Sequence, residues 1–261
     1  MLNQAARRHL GIVSGLLSRC KHNAHTRESD SAVSERLPSR HTPVTDVWHN
    51  GHMTPTSPTE WRTLPPTEAK SSLRSAVRRN RLQRGERRNN EHAETFRDLI
   101  LGLPEADGIT TASVYVSRLH EPGTLPLLEA LTARGVEVIV PQLGEGLQRG
   151  WAVYTSTDDL VERSPGRPPE PSGEFLPQER IMDAQLIVVP ALAADTLGTR
   201  LGQGAGWYDR ALADATPGVP IIALVFDDEF YDAEERALPR QHHDVAVDIV
   251  VTPSRVVRIA P

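Results

Sequence analysis

The segment Leu192–Leu212, LAADTLGTRLGQGAGWYDRAL, holds the densest chemistry in the chain. Gly198, Gly202, Gly204 and Gly206 follow one another at intervals of four, two and two. Glycines at that density let a backbone approach a ligand closely and turn successive N–H groups toward an anion. A helix starting directly after the loop adds a dipole that favours phosphate. Arg200 and Arg210 bracket the loop with positive charge, and Trp207, Tyr208 and Asp209 complete it. The pattern is not a Walker loop, because no Gly-Lys-Ser/Thr follows. Nor is it the dinucleotide fingerprint: Gly202-Gln203-Gly204 lacks a third glycine at the right offset, and no strand precedes it immediately. A structural turn remains the competing reading, but the company of Arg, Tyr and Asp favours an anion site. Asp195 is expected to hydrogen-bond this loop and not to touch a ligand.

A second concentration of charge lies upstream. Residues 70–90 contain eight basic residues and one acid, Glu86. Only two lysines, Lys21 and Lys70, occur among 29 basic residues, so Lys70 stands out in an arginine-biased chain. Lys70 and Arg74 are one helical turn apart and share a face, so both can reach the same phosphates. A solvated helix face is the plain alternative.

These residues need elements to hold them. A helix is predicted from Glu68, with Thr67 as N-cap after Pro65-Pro66 and with Leu73, Val77 and Leu82 as its apolar face. A second helix, about 91–102, ends at Gly102 and Pro104. The texture then becomes α/β. Strands are expected at Thr111–Ser117, Val136–Val140 (stopped by Pro141), Trp151–Tyr154, Leu186–Pro190, Val219–Phe226 and Val247–Thr252. Helices are expected over Thr124–Arg134, closed by Gly135, and from about Trp207 to Ala213. Residues 158–180 read as Pro-rich loop. Strands alternating with helices imply a single α/β domain with a mostly parallel sheet flanked by helices.

Composition limits the alternatives. The chain has 261 residues, 38% hydrophobic and 24% charged, as in ordinary globular enzymes. No apolar run approaches the roughly 18 residues of a membrane-spanning helix. The single cysteine, Cys20, excludes a disulfide scaffold and any Cys-built metal site. A net charge of −5 argues against a general nucleic-acid binder. Residues 1–66 carry six of the ten histidines, many Ser, Thr and Pro, and no sustained period. They read as a disordered extension, with a basic targeting peptide or a start at Met53 as alternatives. Their histidines have no metal-ligand spacing.

RLGQGAGWYDR resembles the signature of the 5-formyltetrahydrofolate cyclo-ligase family, also called methenyltetrahydrofolate synthetases. Three further segments agree in order and spacing. Lys70-Ser71-Ser72-Leu73-Arg74 resembles the family's Lys-x-x-Leu-Arg, Ser117–Thr124 its segment ending Glu-x-x-Thr, and His243–Asp248 its Asp-x-x-Val-Asp. The resemblance covers about residues 67–255 and leaves 256–261 as a short tail. It implies a fold similar to the ribose-phosphate isomerase and CoA-transferase-like group. It also implies an ATP- and Mg²⁺-dependent closure of 5-formyltetrahydrofolate to 5,10-methenyltetrahydrofolate, releasing ADP and phosphate. A cytoplasmic monomer with neither nucleic-acid nor membrane partners is expected.

Carried over residue by residue, the resemblance places ATP at Lys70, Ser71, Ser72, Leu73 and Arg74 and at Arg200, Leu201, Gly202, Gln203, Gly204, Ala205, Gly206, Trp207 and Tyr208. It places the folate at Glu121, Gln203, Gly204, Ala205, Gly206 and Trp207. It gives catalytic roles to Arg200 and Tyr208, and Mg²⁺ to Asp209 and Asp244. Three positions depart from the family pattern: Gly123 where a second acid is frequent, Trp207 where Tyr is usual, and Glu229 where Gln is common. Those departures leave room for a related enzyme acting on another N-formyl or amide substrate, or for a non-catalytic folate- or nucleotide-binding paralogue.

Overall fold

The computed structural model describes residues 64–163 and 166–260. The expected extension, as far as residue 63 and including Met53, lies outside the described residues.

Helix α1 spans Pro66–Arg81 and begins before the expected Glu68. Proline fits the first turn of a helix, where its missing N–H would have no partner anyway. Pro65, not Thr67, occupies the capping position, and no side chain caps the helix. The buried stripe runs Ala69, Leu73, Val77, Arg81 at i+4 spacing, with Lys70 buried beside it. Leu82, expected on that face, lies one residue off the row and is 66% exposed. Helix α2, Glu86–Leu101, starts earlier than expected and stops at Gly102. It buries Ala93, Phe96 and Ile100.

Strand β1 (Thr111–Val114), helix α3 (Leu125–Ala133), β2 (Glu137–Leu143) and β3 (Arg149–Val153) follow. Next come β4 (Leu186–Pro190), β5 (Ala193–Asp195), β6 (Arg200–Leu201) and helix α4 (Trp207–Leu212). The chain closes with β7 (Ile221–Leu224), β8 (Phe230–Tyr231), helix α5 (Ala233–Arg236), β9 (Ile249–Thr252) and β10 (Arg255–Arg258).

Seven strands form one sheet in the order β10-β9-β7-β4-β1-β2-β3. The five central strands are parallel, with Ala112 opposite both Val138 and Leu186, and Ile222 opposite Ile249. They are short, continuous apolar runs because both faces of the sheet are covered. The edges, β3 and β10, are antiparallel. The fold is thus the expected α/β class. A second sheet, β6-β5-β8, lies apart from the first. Its two- and three-residue strands are too short to carry a period, and β10 has arginines at both ends, so the reading of at least six strands does not name them. The tail expected at 256–261 contributes Val256–Arg258 to β10, and β9 is therefore not the last strand.

Pro141 does not stop β2. It faces Trp151 across the β2–β3 ladder. Trp151 directs its own N–H and C=O to Leu176 instead, so this pair exchanges no hydrogen bonds and needs no N–H from proline. The β1 pairing has already ended, its last partner on β2 being Ile139. On its β4 side the β1 ladder runs one residue further, to Val114, and Tyr115–Ser117 leave the sheet at its carboxyl edge.

Candidate active site

Beyond β1 the chain turns through Ser117–Thr124 before entering α3. Thr124 fixes this loop: its hydroxyl donates to the Tyr115 carbonyl and accepts from Ser117 N–H, while Thr124 N–H donates to Ser117 Oγ. His120 has φ +66°, an uncommon left-handed conformation for a non-glycine residue. That turn brings Glu121 back under Arg118. Glu121 Oε2 accepts from Arg118 N–H, and Oε1 pairs with the Arg118 guanidinium at 3.0 Å. Gly123 has a steric reason: a Cβ there would stand 2.6 Å from Cβ of Ala93 on α2. A second acid at this position therefore requires α2 to move.

Glu121 also accepts from Gln203 Nε2 at 2.7 Å, tying the β1 loop to the glycine loop. The glycine loop leaves the β5–β6 hairpin, whose turn Asp195 holds: its fully buried carboxylate accepts from the N–H groups of Leu197, Thr199 and Leu238. Three arginines then grip the loop's carbonyls. Arg74 donates to Gly202 O, Arg78 to Gln203 O and Oε1, and Arg210 to Ala205 O. With the carbonyls turned to arginines, no N–H of Gly202–Gly206 donates to another protein group among the described residues. Gly204 (φ +109°) and Gly206 (φ +60°) adopt backbone conformations that strain other residues, and the Arg74 and Arg210 guanidinia pack where their side chains would be. Free N–H groups ringed by Arg74, Arg78 and Arg210 make an anion cradle. The expected helix dipole adds little, because α4 has only six residues.

A cavity of about 280 Å³ opens beside this loop. Its walls come from the carboxyl ends of three parallel strands, through Tyr115 and Val116 after β1, Gln142 and Leu143 in β2, and Pro190 in β4. β1 lies between β2 and β4, so the chain order reverses there, where α/β sheets form ligand crevices. Glu121, Gln203, Ala205, Trp207 and Tyr208 also face the cavity. Trp207 stands edge-on to Trp151 at 4.9 Å and to Tyr208 at 4.8 Å. The Tyr208 hydroxyl is buried without a hydrogen-bond partner. Burial, only partly offset by the nearby Arg200 charge, pushes its pKa far above the ordinary phenol value, so it is a proton donor and not a base.

The two metal-candidate carboxylates are each engaged by a cation. Arg200 binds Asp209 Oδ1 at 2.5 Å, and Lys70 binds Asp244 Oδ2 at 2.5 Å and Gln241 Oε1 at 3.1 Å. Burial alone raises the Asp244 carboxyl; the Lys70 ammonium and the Gln241 N–H outweigh it and hold the pKa below the ordinary value. Arg74 sits in the field of both acids: burial and Arg78 lower its pKa, while Asp244 and Asp209 oppose them. Among the described residues, no group of three or more His, Cys, Asp or Glu is arranged around a common point. Asp209 Oδ2 and Asp244 Oδ1 accept no hydrogen bond there. Mg²⁺ takes one or two carboxylates and completes its shell with water and phosphate oxygens. Each carboxylate therefore keeps one oxygen of the hard type that such a cation takes.

The structure thus gathers Lys70, Arg74, Arg200, Gln203, Asp209 and Asp244 around α1 and the glycine loop, and Glu121, Ala205, Trp207 and Tyr208 around the cavity. Leu73 and Leu201 are buried together in a small apolar cluster, leaving only their backbone for a ligand. Ser71 is exposed and its carbonyl accepts from Ser75; Ser72 is half-buried. Arg78 counts among the basic residues of the expected anion-site helix without a site role of its own, although it continues the Lys70–Arg74 spacing by one more turn. Sequence reasoning missed Gln142 and Glu170, which no motif marks. Glu229 forms a buried bidentate pair with Arg81, whose guanidinium also donates to Ala191 O.

Residues 66–253 match the sequence profile of the 5-formyltetrahydrofolate cyclo-ligase family. The 5-formyltetrahydrofolate cyclo-ligase of Mycolicibacterium smegmatis is 38% identical over 193 residues, which span 72% of this chain and 95% of that protein. That of Escherichia coli K12 is 28% identical over 152 residues, spanning 56% of this chain and 79% of its own. The solved Aquifex aeolicus 5,10-methenyltetrahydrofolate synthetase superposes with a TM-score of 0.61 at 27% identity, covering 74% of this chain and 93% of that one. The Mycoplasma pneumoniae 5,10-methenyltetrahydrofolate synthetase shares the fold, with a TM-score of 0.53 at 16% identity over 69% of this chain and 96% of that one.

Proposed function

The chain belongs to the 5-formyltetrahydrofolate cyclo-ligase family, and from that premise we propose that it closes 5-formyltetrahydrofolate to 5,10-methenyltetrahydrofolate with ATP and Mg²⁺, releasing ADP and phosphate. The observation that carries this reading is the juxtaposition of an anion cradle with a mainly apolar cavity, joined by the Glu121–Gln203 hydrogen bond. One part suits phosphates and the other a flat ring system.

When bound, Mg-ATP supplies the phosphoryl group that turns the formyl oxygen into a leaving group, so that N10 can bond to the formyl carbon as phosphate departs. The protein's task is positioning and charge compensation. In this reading Lys70, Arg74 and the N–H groups of Gly202–Gly206 hold the phosphates. Asp209 and Asp244 hold Mg²⁺, and releasing one of them from its cation partner frees Arg200 or Lys70 to meet new negative charge. Arg200 reaches the reacting oxygen, and Tyr208, kept protonated by burial, donates a hydrogen bond there. Glu121, Gln203 and Trp207 orient the folate. Trp207 preserves an aromatic face where Tyr is usual, with a different polar handle.

The test is direct. Incubation with Mg-ATP and 5-formyltetrahydrofolate should produce the near-ultraviolet absorbance of the methenyl product, and omission of ATP should abolish it. Absence of an ATP-dependent rise overturns the reading. We further propose that residues 67–255 form the catalytic domain, completed at its edge by β10. A chain beginning at Met53 should then keep its activity and thermal midpoint, and a loss of either would assign the preceding residues a part in the domain.

A further inference from the structure

Two acceptors on the cavity wall are incompletely served: Gln142 Oε1 has no partner, and Glu170 has one long hydrogen bond and a long ion pair with Arg163. Gln142 is 3% exposed, and its Oε1 is buried without a hydrogen-bond partner. Its Nε2 donates to the Pro171 carbonyl at 3.1 Å, and this bond fixes the amide with Oε1 as the unmet group. Glu170 is 6% exposed. Its Oε1 accepts a long bond, 3.3 Å, from Leu143 N–H, and its Oε2 lies 3.6 Å from Arg163 Nε, outside hydrogen-bond range. Both residues line the cavity.

The two acceptors lie side by side through a reciprocal latch. Glu170 binds the backbone of the residue after Gln142, and Gln142 binds the backbone of the residue after Glu170. The Pro-rich segment carrying Glu170 is itself fixed at both ends by β-bridges, Val161 with Glu170 and Trp151 with Leu176. A buried amide oxygen without a donor, beside a carboxylate served only by long contacts, is costly in the free protein. Such groups are kept where a ligand supplies the donors.

We propose that Glu170 and Gln142 read a ring edge bearing adjacent N–H donors. Resting on the function proposed above, that edge is the 2-amino and N3–H edge of the reduced pterin, so these residues set the enzyme's choice of ring. Val116, Leu143 and Trp207 line the same cavity and supply its apolar surface. Glu121 already accepts from Arg118 and Gln203, whereas Glu170 Oε2 has only the 3.6 Å ion pair with Arg163.

The test compares equilibrium binding of 5-formyltetrahydrofolate and its 2-desamino analogue, followed by quenching of the Trp151 and Trp207 fluorescence. The wild type should prefer the natural ligand. Glu170→Gln keeps the acceptor for Leu143 N–H but removes the charge, and should weaken 5-formyltetrahydrofolate by about 10–100-fold. It should barely change the analogue, and the KM for ATP should stay at the wild-type value. Gln142→Met, similar in length and lacking Oε1, should show a smaller loss in the same direction and provides the reading if Glu170→Gln does not fold. Equal weakening of both ligands, or no weakening of either, overturns the inference. If the wild type makes methenyl product but the variants still discriminate normally, this inference fails alone. If the wild type neither binds nor converts the folate, the proposed function and this inference fall together.

Discussion

On one side of the cavity, Lys70, Arg74, Arg78 and Arg81 reach from α1 to the carboxylates and carbonyls of other segments. On the other, Gln142 and Glu170 are placed by each other's neighbouring backbone groups, with Gln142 Oε1 left without a partner and Glu170 Oε2 only in a long ion pair with Arg163. On the first side the charged side chains are paired with one another or with loop carbonyls, so a ligand that takes Lys70, Arg74 or Arg78 must exchange partners with the protein, and only the glycine-loop N–H groups and Arg200 Nε stand open. The second leaves its needs open, so a ligand there completes them. An exchanging side tolerates varied phosphates and metals, while a completing side rejects any ring that lacks the right donors. Specificity is thus expected to concentrate on the β2 side and charge compensation on α1.

The strongest way to break this comparison is to cut the α1 anchor. Arg81 and Glu229 are each 3% exposed in their side chains and pair at 2.7 Å. Removing one partner of a buried pair leaves the other charge uncompensated, at a cost of about 3–5 kcal/mol. Glu229→Ala should therefore destabilise the protein by that amount in denaturant unfolding, even though Glu229 lines no part of the cavity. A loss below about 1 kcal/mol would show that the Arg81–Glu229 pair does not anchor α1.

The second effect is on nucleotide affinity. Arg74→Ala removes the grip on Gly202 O and one phosphate partner. It should raise the KM for ATP by an amount corresponding to about 1.5–3 kcal/mol while changing folate KM little. Lys70→Ala should act in the same sense. An equal rise in both KM values would merge the two sides into one site.

Third in size is the metal. Asn is nearly isosteric with Asp, so Asp209→Asn and Asp244→Asn should keep the fold. Each should raise the Mg²⁺ concentration at half-maximal rate and lower kcat, both read from a Mg²⁺ titration. A full-rate variant with an unchanged midpoint would leave that aspartate as a partner of Arg200 or Lys70 only.

The two sides also differ in how far the sequence reveals them. The α1 side is legible because its residues lie in contiguous, spaced motifs: Lys70 and Arg74 one turn apart, glycines two apart, Tyr208-Asp209 directly behind. Helix periodicity likewise gives Leu73 and Val77, and continuous apolar runs give Leu186–Pro190 to the residue. The β2 side is illegible because its function arises from a tertiary latch between residues 28 apart, inside a stretch with no period. Pro141 misleads for a similar reason, since whether a proline ends a strand depends on which neighbour its N–H would face. The short strands β5, β6 and β8 exist because the second sheet pairs them; two or three residues alone specify nothing.

The smallest expected effect sharpens the electrostatic half of the comparison. Lys70 and Asp244 pair at 2.5 Å, with side chains 7% and 10% exposed. Burial disfavours the charged carboxyl, but Lys70 and the Gln241 N–H outweigh it and depress the Asp244 pKa below 3.8. A depressed folded-state pKa contributes stability that is fully present above the unfolded value and is lost as pH falls through the folded one. Wild type should thus melt higher than Asp244→Asn near pH 7, and the gap should close as pH falls below about 4. The gain is expected to be modest, about 1 kcal/mol or less, as for partly solvated ion pairs. Thermal midpoints across the acid range read it directly. A gap that persists unchanged to low pH would mean that Asp244 stabilises the turn through the Gln241 N–H alone, and that Lys70 is free to meet phosphate without breaking a bond.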